Sequence, residues 1–442
     1  MRILQVTSHQ KAGGAAWVAD ALQRAYREKG HVAEMAVGFK YSRDPQVYEI
    51  PNNAYRRMWP RFWRGVADAG YKARLPLLPR FSRALAAWGE PQRTARLNAG
   101  YEDFDYPGTA HLLDLSPERP EIVHAHNLHG GYFDLRQLPN LSKQVPFVLT
   151  LHDAWLLSGH CSHSFGCERW LDGCGACPDL NIYPAIPVDN TVENWQIKAE
   201  IYARSRLYVA APCRWLMDKI ERSMLVGGIV DRRVIYNGID LSVFQPGDKI
   251  AARRELGLPP DVPIVLFVGA AKRDDTFKDY ATMQTALAKL AQCMGSDELL
   301  LLCLGEEGKT ERIGRASVRF LGRINDRQQV ARTYQAADVY LHAARAETFP
   351  NTILEALACG LPVVASAVAG IPEQVDAGEN GFLAPVGDAD AMAAQMAQLF
   401  ENAELRQKMG ANAADKARVQ FGLQRMADDY LDWFREILEH AS

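Results

Sequence analysis

The chain has 442 residues, of which 48% are hydrophobic and 23% charged, with a formal net charge of −3. That length exceeds one ordinary hydrophobic core, so two to three domains are expected. The balanced charge excludes wholesale disorder and a surface given over to nucleic acid. No run reaches the roughly 18 apolar residues of a bilayer span, so a cytoplasmic location is expected.

The opening MRILQVTS carries one basic residue and a short apolar run, which reads as a first strand and not as a leader peptide. A helical pattern follows over 15–29, then β-branched runs at 33–37, 122–124 and 147–150. A second series lies at 207–210, 234–236, 264–268, 299–304, 318–320, 339–341 and 363–365. Strands alternating with amphipathic stretches predict an α/β chain with two parallel sheets, helices on both faces of each. The irregular stretch 178–200 places a boundary near residue 200, giving domains over 1–200 and 201–422. A last helix over 423–442 carries Met426, Tyr430, Trp433 and Ile437 on one face.

Ligands of open parallel sheets bind beyond the carboxyl ends of the strands. The polar and glycine residues fall there: KAGGA at 11–15, His126 to Gly130, His152 and Asp153, Asn237 and Gly238, Gly269, Gly305 and Glu306, and Glu347. Turn chemistry explains any one of these, but not the recurrence of histidines and acids at the same ends. The glycines at 13–14 do not form G-x-G-x-x-G, which argues against a dinucleotide oxidoreductase.

Residues 346–360 read AETFPNTILEALACG. Pro350 suits the first turn of a helix over 351–358. The N–H groups of Phe349, Asn351 and Thr352, backed by the helix dipole, form a ready site for a diphosphate. Glu355, about a turn and a half inside, needs donors, and the two hydroxyls of a ribose would serve. Glu347 falls where a sugar beyond the diphosphate would sit. For Glu355 alone, an early acid favouring its own helix dipole is an equally plain reading.

Two further segments stand out. Cys161, Cys167, Cys174 and Cys177 are half of the eight cysteines. Four thiolates suit tetrahedral zinc, with a compact reduced loop or a disulfide as the alternatives. A DNA-binding finger would need a basic recognition helix, which is missing. In the basic insert 51–100, arginines and lysines interleave with Trp59, Trp63 and Trp88. A packed helical insertion is the preferred reading; contact with an anionic membrane near a lipid-linked acceptor, or cover over an anionic acceptor, are the others.

ETFPNTILEALACGLPVVAS, with its Glu-x7-Glu spacing, resembles the signature of family 4 retaining glycosyltransferases of the GT-B fold. GGAAWVADALQRAYREKGH, VHAHNLHG, TLHDAW, VIYNGIDLSVF, VRFLGRI, YQAADVYLHAARAETFPN and GENGFLAPVGD extend the resemblance in order over about 1–430. The cysteine piece HDAWLLSGHCSHSFGCERWLDGCGACPDL is similar to a polysaccharide-biosynthesis subgroup of colanic-acid type. The resemblance implies two Rossmann-like domains facing across a cleft, with the last helix packing back on the first. The second domain would bind a nucleotide-diphosphate sugar and the first a saccharide or lipid-linked acceptor.

By the same resemblance, Glu355 matches the ribose-binding glutamate and Glu347 the acid beside the donor sugar. Phe349, Pro350, Asn351 and Thr352 match the backbone that meets sugar and phosphate. Gly13 and Gly14 match the loop approaching the diphosphate, with Gly269 after a donor-side strand and Arg323 framing the base. His126 matches the histidine at the reaction centre; His129, His152 and Asp153 are acceptor-side candidates.

FVGAAKRDDTFKDY departs from the pattern. Ala270 replaces an arginine, and Lys278 takes the lysine position followed by Asp279 in place of glycine. Lys278 is therefore the candidate cation for the leaving diphosphate, with Lys272 or Arg273 as substitutes for the lost arginine. The family implies retention without a covalent intermediate or a required cofactor, and no metal-binding Asp-x-Asp is evident. A same-fold nucleotide-sugar epimerase and a non-catalytic nucleotide-sugar-binding protein are the alternatives.

Overall fold

The computed structural model describes residues 1–10, 13–72, 87–269, 277–294 and 299–441. Two compact units emerge: Met1–Ala211 with Leu216–Val234 and the chain from Tyr430 onward, and Pro212–Trp215 with Ile235–Asp429.

Among the described residues the first unit holds a seven-stranded sheet, ordered β3-β2-β1-β4-β5-β6-β7. The strands are β1 (Arg2–His9), β2 (Val32–Phe39), β3 (Val47–Glu49), β4 (Ile122–His126), β5 (Phe147–Thr150), β6 (Leu207–Ala211) and β7 (Ile229–Val234). All neighbours run parallel. β4 and β5 are buried along their whole length, as expected of strands covered on both faces. The chain winds outward from β1 in both directions, so the carboxyl ends of β1 and β4 flank the topological switch point where open sheets bind ligands. α1 (Gly14–Glu28) follows β1.

The insert forms α2 (Met58–Lys72) and a short helix, Pro91–Asn98. Buried Glu90 anchors it, accepting from Arg56, from Arg64 at 2.6 Å and from Arg93 at 3.0 Å. Arg56 also reaches Asp105 at 2.9 Å. Three of the insert's arginines are therefore consumed in packing, while Met58, Trp59, Phe62 and Trp88 face outward. The remainder of the insert, 73–86, lies outside the described residues. α3 (Thr191–Ala203) precedes β6.

The second unit holds the other sheet, again seven strands among the described residues, ordered β10-β11-β9-β8-β12-β13-β14. These are β8 (Ile264–Val268), β9 (Leu299–Leu304), β10 (Glu311–Ile313), β11 (Ala316–Phe320), β12 (Val339–His342), β13 (Val363–Ser366) and β14 (Gly381–Ala384). Only the β10–β11 pair is antiparallel. The switch point lies between β8 and β12. α4 (Tyr280–Cys293) buries Met283, Leu287 and Leu290 against Val265, Leu301 and Leu341. α5 (Asn351–Ala358) leads into β13.

The last helix, α6 (Leu423–Ala441), enters the first unit at Tyr430. The Tyr430 hydroxyl lies 2.9 Å from Thr150 Oγ1, Phe434 packs edge-on against Tyr26 and His124, and Trp433 Nε1 donates to Asp231 at 2.8 Å.

The units divide later than the expected boundary at residue 200. β6 pairs with β5 and β7 with β6 to complete the first sheet, which local periodicity does not reveal. The strand expected at 234–236 is β7, ending at Val234. No helix among the described residues is long and apolar enough to cross a membrane.

Candidate functional site

In the second unit, the segments before α4 and after β12 zip together. Asp279 N donates to Ala343 O at 3.1 Å, and Arg345 N to Phe277 O at 2.8 Å. This pairing sets Lys278 Nζ on Glu347 Oε1. His342, at the buried end of β12, reaches the same oxygen through Nε2 at 3.3 Å, and its Nδ1 lies 3.1 Å from the Tyr340 hydroxyl. Burial alone would lift the Glu347 carboxyl, but the Lys278 charge and the His342 hydrogen bond hold it well below the usual carboxylate range. Burial and the Lys278 charge push His342 down to about 4. The neutral ring then donates from Nε2 to the carboxylate and accepts the Tyr340 proton at Nδ1.

Asp279, out of pattern in the sequence, caps α4 by accepting from Thr282 N at 3.2 Å, and pairs with Arg345 at 2.9 Å. Gly269, at φ +149°, lies beside Lys278: a β-carbon there would stand 3.8 Å from Lys278 Cε. Ala270, Lys272 and Arg273 lie outside the described residues.

Pro350 is the cap of α5 rather than its first residue, with φ −65° and ψ 122°. Beyond it, the first-turn N–H groups at Asn351 and Thr352 have no intrahelical partner, which makes this end of the helix receptive to an anion. Phe349 is stacked on Tyr236 with centroids 5.5 Å apart, and Asn351 Oδ1 accepts from Asn237 at 3.2 Å. Glu355 accepts from the Tyr334 hydroxyl at 2.7 Å, and burial pushes its carboxyl up to about 7 against the pull of Tyr334 and Arg327.

The Tyr334 and Tyr340 rings lie 5.8 Å apart. A continuous side-chain path therefore runs from Glu355 through Tyr334, Tyr340 and His342 to Glu347 and Lys278. Arg323 is exposed in the loop after β11. Tyr334, Tyr340 and His342 were not among the sequence candidates. The Tyr-x-His alternation closing an apolar run, so like His-x-His in VHAHNLHG, was a usable signal for the last two.

In the first unit, His126 ends β4 and is fully buried. Its Nε2 lies 2.9 Å from Gln5 Oε1 and its Nδ1 3.0 Å from His152 Nε2. Gln5 Oε1 can only accept, so Nε2 carries the proton and Nδ1 accepts from His152. Burial, with the neighbouring histidines, drives His126 well below its ordinary value, and burial takes His152 down to about 4. Both rings are neutral at pH 7. The expected reaction-centre histidine is thus a buried member of a relay, with His152 beyond it.

Asp153 ties the next group together. Its Oδ2 accepts from His129 Nε2 at 2.6 Å and from Asn127 Nδ2 at 2.8 Å. Burial opposes charge on His129, but Asp153 outweighs it and raises the imidazole's pKa. His129 Nδ1 is buried with no hydrogen-bond partner among the described residues; with Nε2 donating to Asp153, it is an acceptor in the neutral ring and a donor only in the charged one. Trp155 and Ser158, further along the same segment, offer their carbonyls to fully buried Lys198 at 2.9 and 3.0 Å; Lys198 also pairs with Glu102 at 2.9 Å.

Gly13 caps α1 at φ +87°, a conformation that disfavours side chains, and a β-carbon there would meet nothing within 4 Å. Gly14 begins the helix, whose first turn holds no acid. Near the ends of β2 and β3, a separate polar cavity of about 390 Å³ is lined by Asn52, Arg56, Arg64 and Tyr106 among others.

Cys161, Cys167, Cys174 and Cys177 are free thiols, each half-buried, and all line one cavity of about 30 Å³. Among the described residues, no three Cys, His, Asp or Glu side chains already stand as a set of metal ligands.

The chain matches the family described as Glycosyl transferases group 1 over residues 248–416. It is 22% identical to the putative colanic acid biosynthesis glycosyl transferase WcaC of Escherichia coli K12, across 99% of this chain and 100% of that one. It is 34% identical to D-inositol 3-phosphate glycosyltransferase of Segniliparus rotundus over 46% of this chain, spanning about half (47%) of that relative. Among solved structures, sucrose-phosphate synthase from Thermosynechococcus elongatus aligns over 100% of both chains with a TM-score of 0.64 at 19% identity. Anabaena Alr3699/HepE in complex with UDP aligns over 99% of this chain and 100% of that chain, with a TM-score of 0.63 at 17% identity. The chain carries a glycosyl transferases group 1 domain over residues 248–416 and is built on the GT-B fold.

Proposed function

We propose that the protein transfers a sugar, with retention, from a nucleotide-diphosphate sugar to a hydroxyl of a saccharide or lipid-linked acceptor in polysaccharide or glycan biosynthesis. The observation that carries this reading is the path joining Glu355 to Lys278 beside the open start of α5. The ribose diol binds Glu355, the diphosphate lies over the N–H groups at Phe349 to Thr352, and the transferred sugar meets Glu347. HepE, a structural relative, is described in complexes with UDP and with UDP-glucose, and WcaC is described as acting in colanic acid biosynthesis.

In this reading the bond between the anomeric carbon and the diphosphate oxygen breaks as the acceptor oxygen bonds to that carbon from the same face. The acceptor proton passes to the departing diphosphate. Lys278 and the α5 dipole stabilise the charge that builds there, so no carboxylate need act as nucleophile. Glu347 holds Lys278 and contacts the sugar. His129, Asp153 and His152 face the acceptor, with His126 positioning His152.

The outward-facing Met58, Trp59 and Phe62, flanked by exposed Arg57 and Arg61, support peripheral contact with an anionic membrane carrying a lipid-linked acceptor. Pelleting with anionic vesicles tests that contact; equal recovery of wild type and a Trp59→Ala/Phe62→Ala variant excludes it.

A thermal-shift screen against nucleotide-diphosphate sugars tests the donor. At least one should raise the melting temperature of wild type and not of Glu355→Ala. The same donor should then yield nucleoside diphosphate and a glycoside. Isomerised donor without any acceptor would identify an epimerase instead.

A further inference from the structure

The segment from Ser158 to Thr191 is not used by the proposed transfer, yet it brings four of the eight cysteines to one place. Their shared cavity, about 30 Å³, is the space of a single water and too small for an organic ligand. We propose that this loop is a structural zinc site, in which Cys161, Cys167, Cys174 and Cys177 hold one tetrahedral ion that fixes the backbone carrying Trp155, Ser158 and Tyr183.

The backbone is shaped for it. Gly173, Cys174, Gly175 and Ala176 all lie in the left-handed region, at φ of 120°, 62°, 91° and 44°. Two of them are non-glycine residues, for which this conformation is unfavourable. The run turns the chain so that Cys174 and Cys177 both face the cavity. Gly159 N donates to Cys174 Sγ at 3.2 Å, the kind of contact that supports a thiolate.

A histidine and two lysines stand around the thiols. His160 Nδ1 lies 3.2 Å from Pro184 O, which can only accept, so the neutral ring turns its Nε2 lone pair to Cys177 Sγ, also at 3.2 Å. A metal-adjacent histidine fixed through its other nitrogen by a carbonyl is the usual outer-shell arrangement. Lys198 and Lys219 both act electrostatically on Cys161.

Zinc entry would release one proton from each cysteine to solvent. A divalent ion with four thiolates carries two negative charges in excess, which the two lysines offset. Two disulfides could also use all four cysteines, and the metal content separates that arrangement from a bound ion.

The loop is tied to the rest of the first unit. The Trp155 and Ser158 carbonyls hold Lys198, and the Tyr183 ring stands edge-on to His129 at 5.7 Å. An ion here would fix that wall whatever reaction the protein performs.

The test is the metal content of the intact purified protein by plasma mass spectrometry. About one zinc per chain is expected, released by an organomercurial and restored by added Zn²⁺. Co²⁺ in its place should give the charge-transfer absorption of tetrahedral thiolate coordination. Cys174→Ser/Cys177→Ser should lose the metal, while Cys293→Ser, altering an exposed cysteine outside the cavity, should keep it. Metal-free wild type that shows no such absorption with Co²⁺ overturns the site, as does native protein in which mass spectrometry finds these cysteines paired as disulfides.

Discussion

Tyr334 donates a 2.7 Å hydrogen bond to Glu355 Oε2, and among the described residues it is the sole hydrogen-bond donor to that carboxylate. One phenol does not offset the cost of burial, so the carboxyl titrates at about 7. A ribose diol brings two more donors, and these favour the ionised form. Nucleotide binding should therefore strengthen from pH 6 to pH 8 and release a proton below about pH 7. Calorimetry in buffers of different ionisation enthalpy measures that release. Glu355→Gln should abolish it and weaken binding by about 10- to 100-fold, the worth of a hydrogen bond to a charged group.

Stability moves the other way with pH. A carboxyl whose folded value is raised contributes most below its unfolded value and loses that contribution as pH rises through about 7. Glu355→Gln should thus melt higher than wild type at pH 8 without ligand, with the difference shrinking towards pH 5. A gap independent of pH would remove Glu355 as its source.

Lys278 and Glu347 should separate in kinetics. Lys278→Met removes the cation assigned to the leaving diphosphate and should lower kcat by about 10²- to 10³-fold. Glu347→Gln keeps the shape and loses the charge that holds Lys278, so it should lower kcat with a smaller effect on donor KM. A Lys278→Met variant with full kcat would remove the lysine from the chemistry.

The first unit predicts an acid limb. His152 must take up a proton in a site that burial holds at about 4. A depressed histidine stabilises the fold above its unfolded value of roughly 6.5 and loses that contribution as pH falls towards 4. The melting temperature should drop across this window, and less steeply in His152→Asn. His126→Ala strands the Gln5 and His152 partners and should cost about 1–3 kcal/mol in urea denaturation.

Lys198 is fully buried against Glu102. Breaking one side of such a pair costs about 3–5 kcal/mol, whereas replacing both is often tolerated. Lys198→Met should be strongly destabilised and Lys198→Met/Glu102→Leu largely restored. Glu102 titrates at about 7, because burial raises it against the pull of Lys198. The single variant should therefore be less unstable at pH 6, where Glu102 can take up a proton. A double variant no better than the single would show that the two are not coupled.

The long apolar strands and the helix at 351–358 were legible because period and turn chemistry are local. β3 and β10, each three residues, were too short to carry a period, and β14 opens on Gly381. Glu347 and Glu355 stood out by their spacing and Lys278 by the family resemblance; Tyr334, Tyr340 and His342 sat in runs that read as core. They are buried, but as aromatic hydrogen-bonding groups beneath the two acids. Asp279 looked like a lost glycine and proved to be a helix cap with a salt bridge. The membership of β6 and β7 depends on which strand lies beside them, and spacing does not encode that.

Those two strands bear on how the protein can be divided. A cut near residue 200 would strip β6 from β5, leaving Phe147–Thr150 as an edge with unpaired backbone groups and no charged residue among its four. Bare apolar edges recruit other chains, so such a fragment should aggregate. A dissection that follows the hydrogen-bonded sheets would break the chain after Val234 and keep the last turns of α6 with the amino-terminal piece.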